Sequence, residues 1–295
     1  MKKIMCIVII LTTFLAVTSC NLFVETEEQR IARENFPVEL EGEYNIYSAP
    51  QRVISLSPSV TEIIFTLGSY TQLVAVSDNC DYPEQTANLP NVGTALSLEI
   101  DEILTLNPNL ILTSTPIFGL TRDRLALRNI PVIVVPAANS LEELHELYEN
   151  IAIVLSGNYT GRLNAENTLQ NMFTEMENTT SSTNYTATIL LSLDFFDNSQ
   201  ILNELIETAG FDLVKLSQIE EENEHPLLTA NPNFIFTTEP AATKILTEER
   251  FSELSAVKNE RVVVVDSELF ERQGGRLVEL VQTMNRATQQ LLQGE

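Results

Sequence analysis

Short apolar runs alternate with helically periodic stretches along most of this chain. Residues 52–56 form one such run and lead into Ser57-Pro58-Ser59, which reads as a strand followed by a loop. Thr61 and Glu62 open a helix with apolar positions at Ile63, Ile64, Phe65 and Leu67, and Gly68 supplies its C-terminal stop. Strands are then predicted at 73–76, 110–113 and 131–135, and helices at 100–106 and 121–128. The order returns further on. Strands are predicted at 188–193, 213–216, 234–237 and 262–265, helices at 202–209 and 247–254, and a last helix over 276–292. Alternation of this kind predicts an α/β fold with largely parallel sheets.

The second half repeats the first in detail as well as in order. Asn107-Pro108-Asn109 precedes Leu110-Ile111-Leu112-Thr113, and Asn231-Pro232-Asn233 precedes Phe234-Ile235-Phe236-Thr237. A proline there stops a helix, and its neighbours suit a turn. Gly68 ahead of Leu73-Val74 has a counterpart in Gly210 ahead of Leu213-Val214. Two related lobes follow from this repeat. Between them, Ser140 and Glu143 form the Ser-x-x-Glu pattern of a capping box ahead of Leu144, Leu147, Ile151 and Leu155. Ser156-Gly157-Asn158 interrupts that helix, and a second helical stretch over 160–177 would span about 27 Å. Such a helix acts as a stiff spine, so the lobes should move little against each other.

The N-terminus has a different pattern. Met1-Lys2-Lys3 is a short basic start, residues 4–17 are apolar apart from Thr12 and Thr13, and Val17-Thr18-Ser19-Cys20 closes the segment with small residues and a cysteine. This is the layout of a cleaved export signal. The apolar run is shorter than the roughly 20 residues that span a bilayer. The residues before Cys20 resemble a bacterial lipobox, which implies acylation of Cys20. Residues 21–48 are rich in glutamate and lack a clear period, as in a flexible tether. The expected division is a signal peptide at 1–19, an acidic tether at 20–48, a first lobe at 49–139, linking helices at 140–178 and a second lobe at 179–295.

Charge and composition narrow the function. The net charge is −24, and it becomes −26 once residues 1–19, with two lysines and no acid, are removed. That argues against nucleic-acid binding, which needs clustered Lys and Arg. Beyond Cys6 and Cys20 only Cys80 remains, so no intramolecular disulfide is available, and Cys80 is expected as a small buried residue. With only His145 and His225, a site for a bare metal ion built on several histidines is not expected. No Gly-x-Ser-x-Gly, Gly-x-x-x-x-Gly-Lys or Gly-x-Gly-x-x-Gly motif is present, so the chain reads as a non-enzyme without a resident cofactor.

The quoted strand–loop–helix start at residues 52–63, with Leu67-Gly68, Cys80-Asp81-Tyr82-Pro83 and Phe270-Glu271-Arg272-Gln273-Gly274-Gly275-Arg276-Leu277, resembles the periplasmic binding proteins for cobalamin and iron–siderophore complexes. The resemblance runs from residue 52 to the end. It implies two parallel-sheet α/β lobes bridged by a long α-helix, with a ligand cleft between the lobes. It also implies that Tyr82 packs on the ligand, that Glu268 and Arg272 are polar cleft residues, and that Phe195 or Phe196 adds an aromatic contact. Ser57, Thr115 and Phe118 sit in loops at strand ends, where ligands of such sheets bind. Large planar or amphipathic ligands need aromatic walls and a few orienting polar groups.

The cobalamin proteins offer a tryptophan near Thr115–Phe118, whereas this chain has no tryptophan, so the ligand stays open between an iron chelate and a corrinoid. Heme ranks below both, since no axial Tyr or His is evident after Asn91-Val92-Gly93. The implied partners are the membrane subunits of an ABC permease, met by surface carboxylates for which Asp123 and Glu222 are candidates, and the membrane itself through the lipid on Cys20. The chain is expected to be exported and to act as a monomer. A surface lipoprotein or adhesin without a transport role is the alternative from another class.

Overall fold

The structure, a computed structural model, describes residues 26–40, 45–94, 97–180, 183–194, 199–219 and 225–293. Cys20, Phe195, Phe196 and Glu222 lie outside the described residues.

The segment expected as a flexible tether is ordered where it is described. Helix α1 (Glu27–Asn35) begins with a complete capping box between Thr26 and Gln29. Strands β1 (Val38–Glu39) and β2 (Asn45–Ile46) then pair antiparallel, and Val38 and Ile46 pack on Ile153. A few buried apolar side chains suffice to dock this stretch, and its many glutamates conceal them in an average over the segment.

The first lobe follows. It contains β3 (Val53–Ser55), α2 (Pro58–Thr66), β4 (Leu73–Val76), a short hairpin of β5 (Gly93–Thr94) and β6 (Ser97–Leu98), α3 (Ile100–Thr105), β7 (Leu110–Thr113), α4 (Gly119–Ala126) and β8 (Val132–Val134). Its main sheet has the order β4-β3-β7-β8, with every neighbouring pair parallel. Two helices then cross the molecule, α5 (Leu141–Ser156) and α6 (Asn158–Thr179). The second lobe contains β9 (Thr186–Leu190), α7 (Gln200–Thr208), β10 (Asp212–Leu213), α8 (Pro226–Ala230), β11 (Phe234–Thr237), α9 (Glu239–Thr247), α10 (Ser255–Lys258), β12 (Val262–Val264), α11 (Ser267–Glu271) and α12 (Arg276–Gln293). Its sheet has the order β10-β9-β11-β12 and is again wholly parallel. The two sheets are wound identically.

The repeated Asn-Pro-Asn explains part of that identity. Asn107 and Asn231 each close a helix with positive φ, 47° and 40°, a conformation that asparagine tolerates. The second asparagine of each triplet clamps the start of the neighbouring strand. Asn109 Oδ1 accepts from Arg52 N at 3.0 Å, and Asn233 Oδ1 accepts from Thr186 N at 2.9 Å. In return, Asn109 N donates to Arg52 O and Asn233 N to Thr186 O.

Both sheets are covered on both faces. Val53, Leu110 and Leu112 of the first sheet and Ala187, Ile189, Phe234 and Phe236 of the second belong to one continuous core with the buried faces of α5, α6 and α12. The opposite faces have separate cores around Ile54 and Ile111, and around Leu190 and Ile235. The linking helices therefore share a core with each lobe as well as bridging them. Helix α5 is capped by Ser140, which accepts from Glu143 N, but the Glu143 carboxylate reaches Asn139 N at 2.7 Å instead of closing the predicted box. Helix α6 has 22 residues, about 33 Å of rise. Its N-terminus is capped from afar: Asn35 Oδ1 accepts from Tyr159 N at 3.0 Å and Thr160 N at 2.8 Å. Gly157 has φ 91°, and a Cβ there would lie 2.4 Å from Asn35 Cβ, so this approach requires glycine.

Three predicted elements are displaced. The helix expected at 247–254 is α9, eight residues earlier at its start, because Pro240 fits a first helical turn; only a single turn at Glu249–Phe251 and α10 occupy the later stretch. The strand expected at 213–216 pairs only over Asp212–Leu213 on the sheet edge, and Leu216 turns into the core. The strand expected at 188–193 is β9, pulled towards the N-terminus by the Asn233 clamp.

Candidate functional site

All strands of each sheet run in one direction, so loops after β3, β4, β7 and β8 gather at one end of the first lobe. The loop after β4, carrying Asn79, Asp81 and Tyr82, meets the segment from Glu268 to Arg276 that follows β12 of the second lobe. The carboxyl ends of both sheets thus converge on one region, the usual place for a ligand in open α/β sheets.

Two glycines allow the close approach. A Cβ at Gly274 would lie 2.3 Å from Glu62 Cβ, and Gly275 N donates to Thr66 Oγ1 at 3.2 Å. Gln273, also buried, accepts from Ala138 N at 2.7 Å and donates to Ala138 O. Residues 273–276 therefore bind α2 and the end of the first lobe directly, a second connection beside the spine.

Arg276 is the centre of this connection. Its guanidinium donates to Glu62 Oε1 from Nη2 at 2.6 Å and from Nε at 3.1 Å, and to Glu268 Oε2 from Nη1 at 2.7 Å. Glu62 is 2 % exposed. Burial raises the Glu62 carboxyl above its ordinary value, against the opposing pull of Arg276. Arg276 is held above the ordinary arginine value because its hydrogen bonds and charge interactions with Glu62 and Glu268 outweigh its own desolvation. Its guanidinium also lies over the Tyr82 ring, 4.4 Å from the centroid. One face of Tyr82 is thus held by a buried cation, while the side chain remains 42 % exposed.

Of the residues proposed from sequence, the structure brings Tyr82, Glu268 and Arg272 together. Arg272 lies 3.8 Å from Asp81 Oδ1 and 3.7 Å from Glu268 Oε1, and Nη1 donates to Asn79 O at 3.5 Å. Among the described residues, Glu62 Oε2 and Arg272 Nε are buried polar atoms without a hydrogen-bond partner. Thr115 and Phe118 are exposed in the loop after β7, at the same end of the sheet, and no contact joins them to this group. Ser57 is buried at the start of α2, where its carbonyl accepts from Ser55 Oγ and Thr61 Oγ1, so its side chain is not open to a ligand. Asp123 is exposed on α4. Cys80 is buried, touches Thr61 and Ser77, and has its thiol pushed up by burial. Arg276, Glu62 and Gln273 were not singled out from sequence. The Gly274-Gly275 pair was their signal, since adjacent glycines beside charged residues mark a close backbone approach.

A different concavity, of about 1200 Å³, lies on the flank of the first lobe among β8, α5 and the docked β1, lined by residues such as Val38, Ile133, Leu147 and Arg162. None of the unpartnered buried polar atoms lines it, although it reaches Ala138, the residue that hydrogen-bonds Gln273. Among the described residues no group of three or more His, Cys, Asp or Glu is placed to hold a metal ion, and no helix is long and apolar enough to cross a membrane.

The family of periplasmic binding proteins matches residues 53–269, a stretch that contains both sheets. The chain belongs to that family. Its relatives agree with the architecture. The ABC transporter substrate-binding lipoprotein YvrC of Bacillus subtilis is 25% identical over 272 residues, covering 85% of each chain. The vitamin B12-binding protein of Vibrio cholerae is 26% identical over 242 residues, covering 79% of this chain and 87% of its own. A solved structure from Staphylococcus epidermidis, described as a possible iron-binding periplasmic solute-binding protein, superposes with TM-score 0.67 at 22% identity, over 82% of this chain and 99% of its own. The fold expected from the resemblance, two parallel-sheet lobes joined by a long helix, is the fold of this family. Its members are solute-binding proteins rather than enzymes.

Proposed function

We propose that this chain is the solute-binding lipoprotein of an ABC importer, and that it captures an iron chelate or a corrinoid between its lobes. The observation that carries this reading is Tyr82, fixed on one face by Arg276 of the other lobe while a large part of its surface stays exposed. A flat amphipathic ligand stacks on such a ring, and Arg272 and Glu268 beside it orient polar groups at the ligand's edge. The names of the relatives, one binding vitamin B12 and one described as possibly binding iron, support the same choice of ligands.

The protein acts on this reading as a carrier without chemistry of its own and as a monomer. A lipid on Cys20 holds it to the membrane after export. Delivery to the permease uses exposed carboxylates, one per lobe. Asp123 serves in the first lobe, and in the second Glu222, or Glu239, which is exposed in the first turn of α9 after β11. The test is to recover the full chain from membranes in mild detergent and to record the spectrum and mass of any small molecule that co-purifies. A corrinoid or a ferric chelate is expected, and Tyr82→Ala should lose it. Recovery of no small molecule, with flat titrations against corrinoids, ferric siderophores and heme, would favour an adhesin or other surface lipoprotein.

A further inference from the structure

The charges around Tyr82 restrict the ligand further. Arg276 gives all its described polar contacts to Glu62 and Glu268 and its face to Tyr82. Arg272 lies between Asp81 and Glu268, and its unpartnered Nε is enclosed by protein. Three carboxylates therefore face two guanidinium groups, which leaves one net negative charge. If Glu62 holds a proton the group is neutral. In neither state is there a surplus cation.

The surrounding loops add mostly acid. Among the described residues between the carboxyl ends of the main-sheet strands and the helices that follow, the carboxylates beyond Asp81 are Asp78 after β4, Asp194 after β9 and Asp266 after β12. Among the described residues the base in such a loop is Lys215 after the edge strand β10, and it lines a separate depression with Glu207 and Asp212. A polyanionic ligand in this cleft would meet unscreened carboxylates and would have to break the Arg276 or Arg272 pairs to gain a cation. Like charges brought together at an interface cost several kcal/mol.

We infer that the cleft takes neutral or cationic metal chelates, such as a corrinoid or a ferric trihydroxamate, and discriminates against anionic ones, such as a ferric tris-catecholate or, through its two propionates, heme. This rests on the reading of the cleft as a chelate-binding site. The full chain in mild detergent is titrated at fixed ionic strength with cobinamide, ferrioxamine B, ferric enterobactin and hemin. At least one of the first two binds, ~100-fold or more tighter than either of the last two, as a penalty of several kcal/mol requires. Asp81→Asn, at an exposed carboxylate, and added salt both narrow the ratio, because each weakens the repulsion. If an anionic chelate binds as tightly as the others, the charge argument is wrong while the chelate-binding site stands. If none of the four binds, the chelate-binding reading fails and this inference fails with it.

Discussion

The two lobes have the same sheet order and the same asparagine clamp, yet they contribute differently to the space between them. The first lobe offers the loop after β4, with Tyr82 and Asp81, and the buried Glu62 on α2. The second lobe offers one short stretch, Glu268 to Arg276, that reaches across and pairs with Glu62. Nothing in the first lobe corresponds to that stretch, since β8 leads directly into the linking helices. Duplication of a sheet thus fixed the scaffold, and divergence of two connections made the site. The pair Glu62–Arg276 is poor evidence for added stability, because burying two charges is costly, but it makes the placement of the lobes specific: either charge left alone is penalised.

That comparison gives its own tests, and the largest effect falls on the unlike part. Arg276→Met leaves a carboxylate that is 2 % exposed without its cation, and should cost about 3–5 kcal/mol in urea unfolding. Arg276→Lys should recover only part of this, because lysine lacks the planar fork that bridges Glu62 and Glu268. A loss below about 1 kcal/mol for the methionine variant would mean that the connection does not join the lobes.

The like parts come next. Asn109→Ala and Asn233→Ala each remove the acceptor of a strand-start N–H and should each cost about 1–3 kcal/mol. Near-equal losses uphold the equivalence of the lobes, whereas a loss confined to one would break it. A smaller effect is expected at the docked N-terminal segment. Asn35→Ala removes the distant cap of α6 and should cost about 1 kcal/mol, read from the same unfolding curves, and no change would mean that the segment does not hold the spine.

The smallest effect concerns pH. Because burial raises the Glu62 carboxyl, the folded chain keeps a proton that the unfolded chain has released at pH values between the two. Stability from this group is therefore fully present below the ordinary carboxylate range and is lost as pH rises through the raised value. The urea midpoint followed across that window should fall with rising pH in the natural chain and flatten in Glu62→Gln; identical slopes would contradict the assignment.

Much of the scaffold was legible because its signals are local. Apolar runs, helix-stopping glycines and the repeated Asn-Pro-Asn each sit within a few residues of the element they define. The linking helix was legible as a long stretch without proline, although its start at Asn158 depends on Asn35, more than a hundred residues away, which no local pattern reveals. The displaced strands have the same origin, since a clamp from Asn233 decides where β9 begins. At the site, Tyr82 and Arg272 are accessible through family likeness, while nothing local distinguishes Arg276 in the same Gly-Gly-containing segment. Its role comes from contact with Glu62, over two hundred positions apart in sequence. Ser57 shows the converse: its place after a strand suggests a ligand contact, but at the N-cap of α2 it is buried.

The central claim, that solute is bound where the two sheets converge, is tested most directly by hydrogen exchange of the full chain with and without saturating cobinamide or ferrioxamine B, whichever binds. The account predicts protection of residues 78–83 and 268–276 together, one stretch from each lobe. Protection confined to β8, α5 and the flanking concavity would place the ligand elsewhere and contradict it.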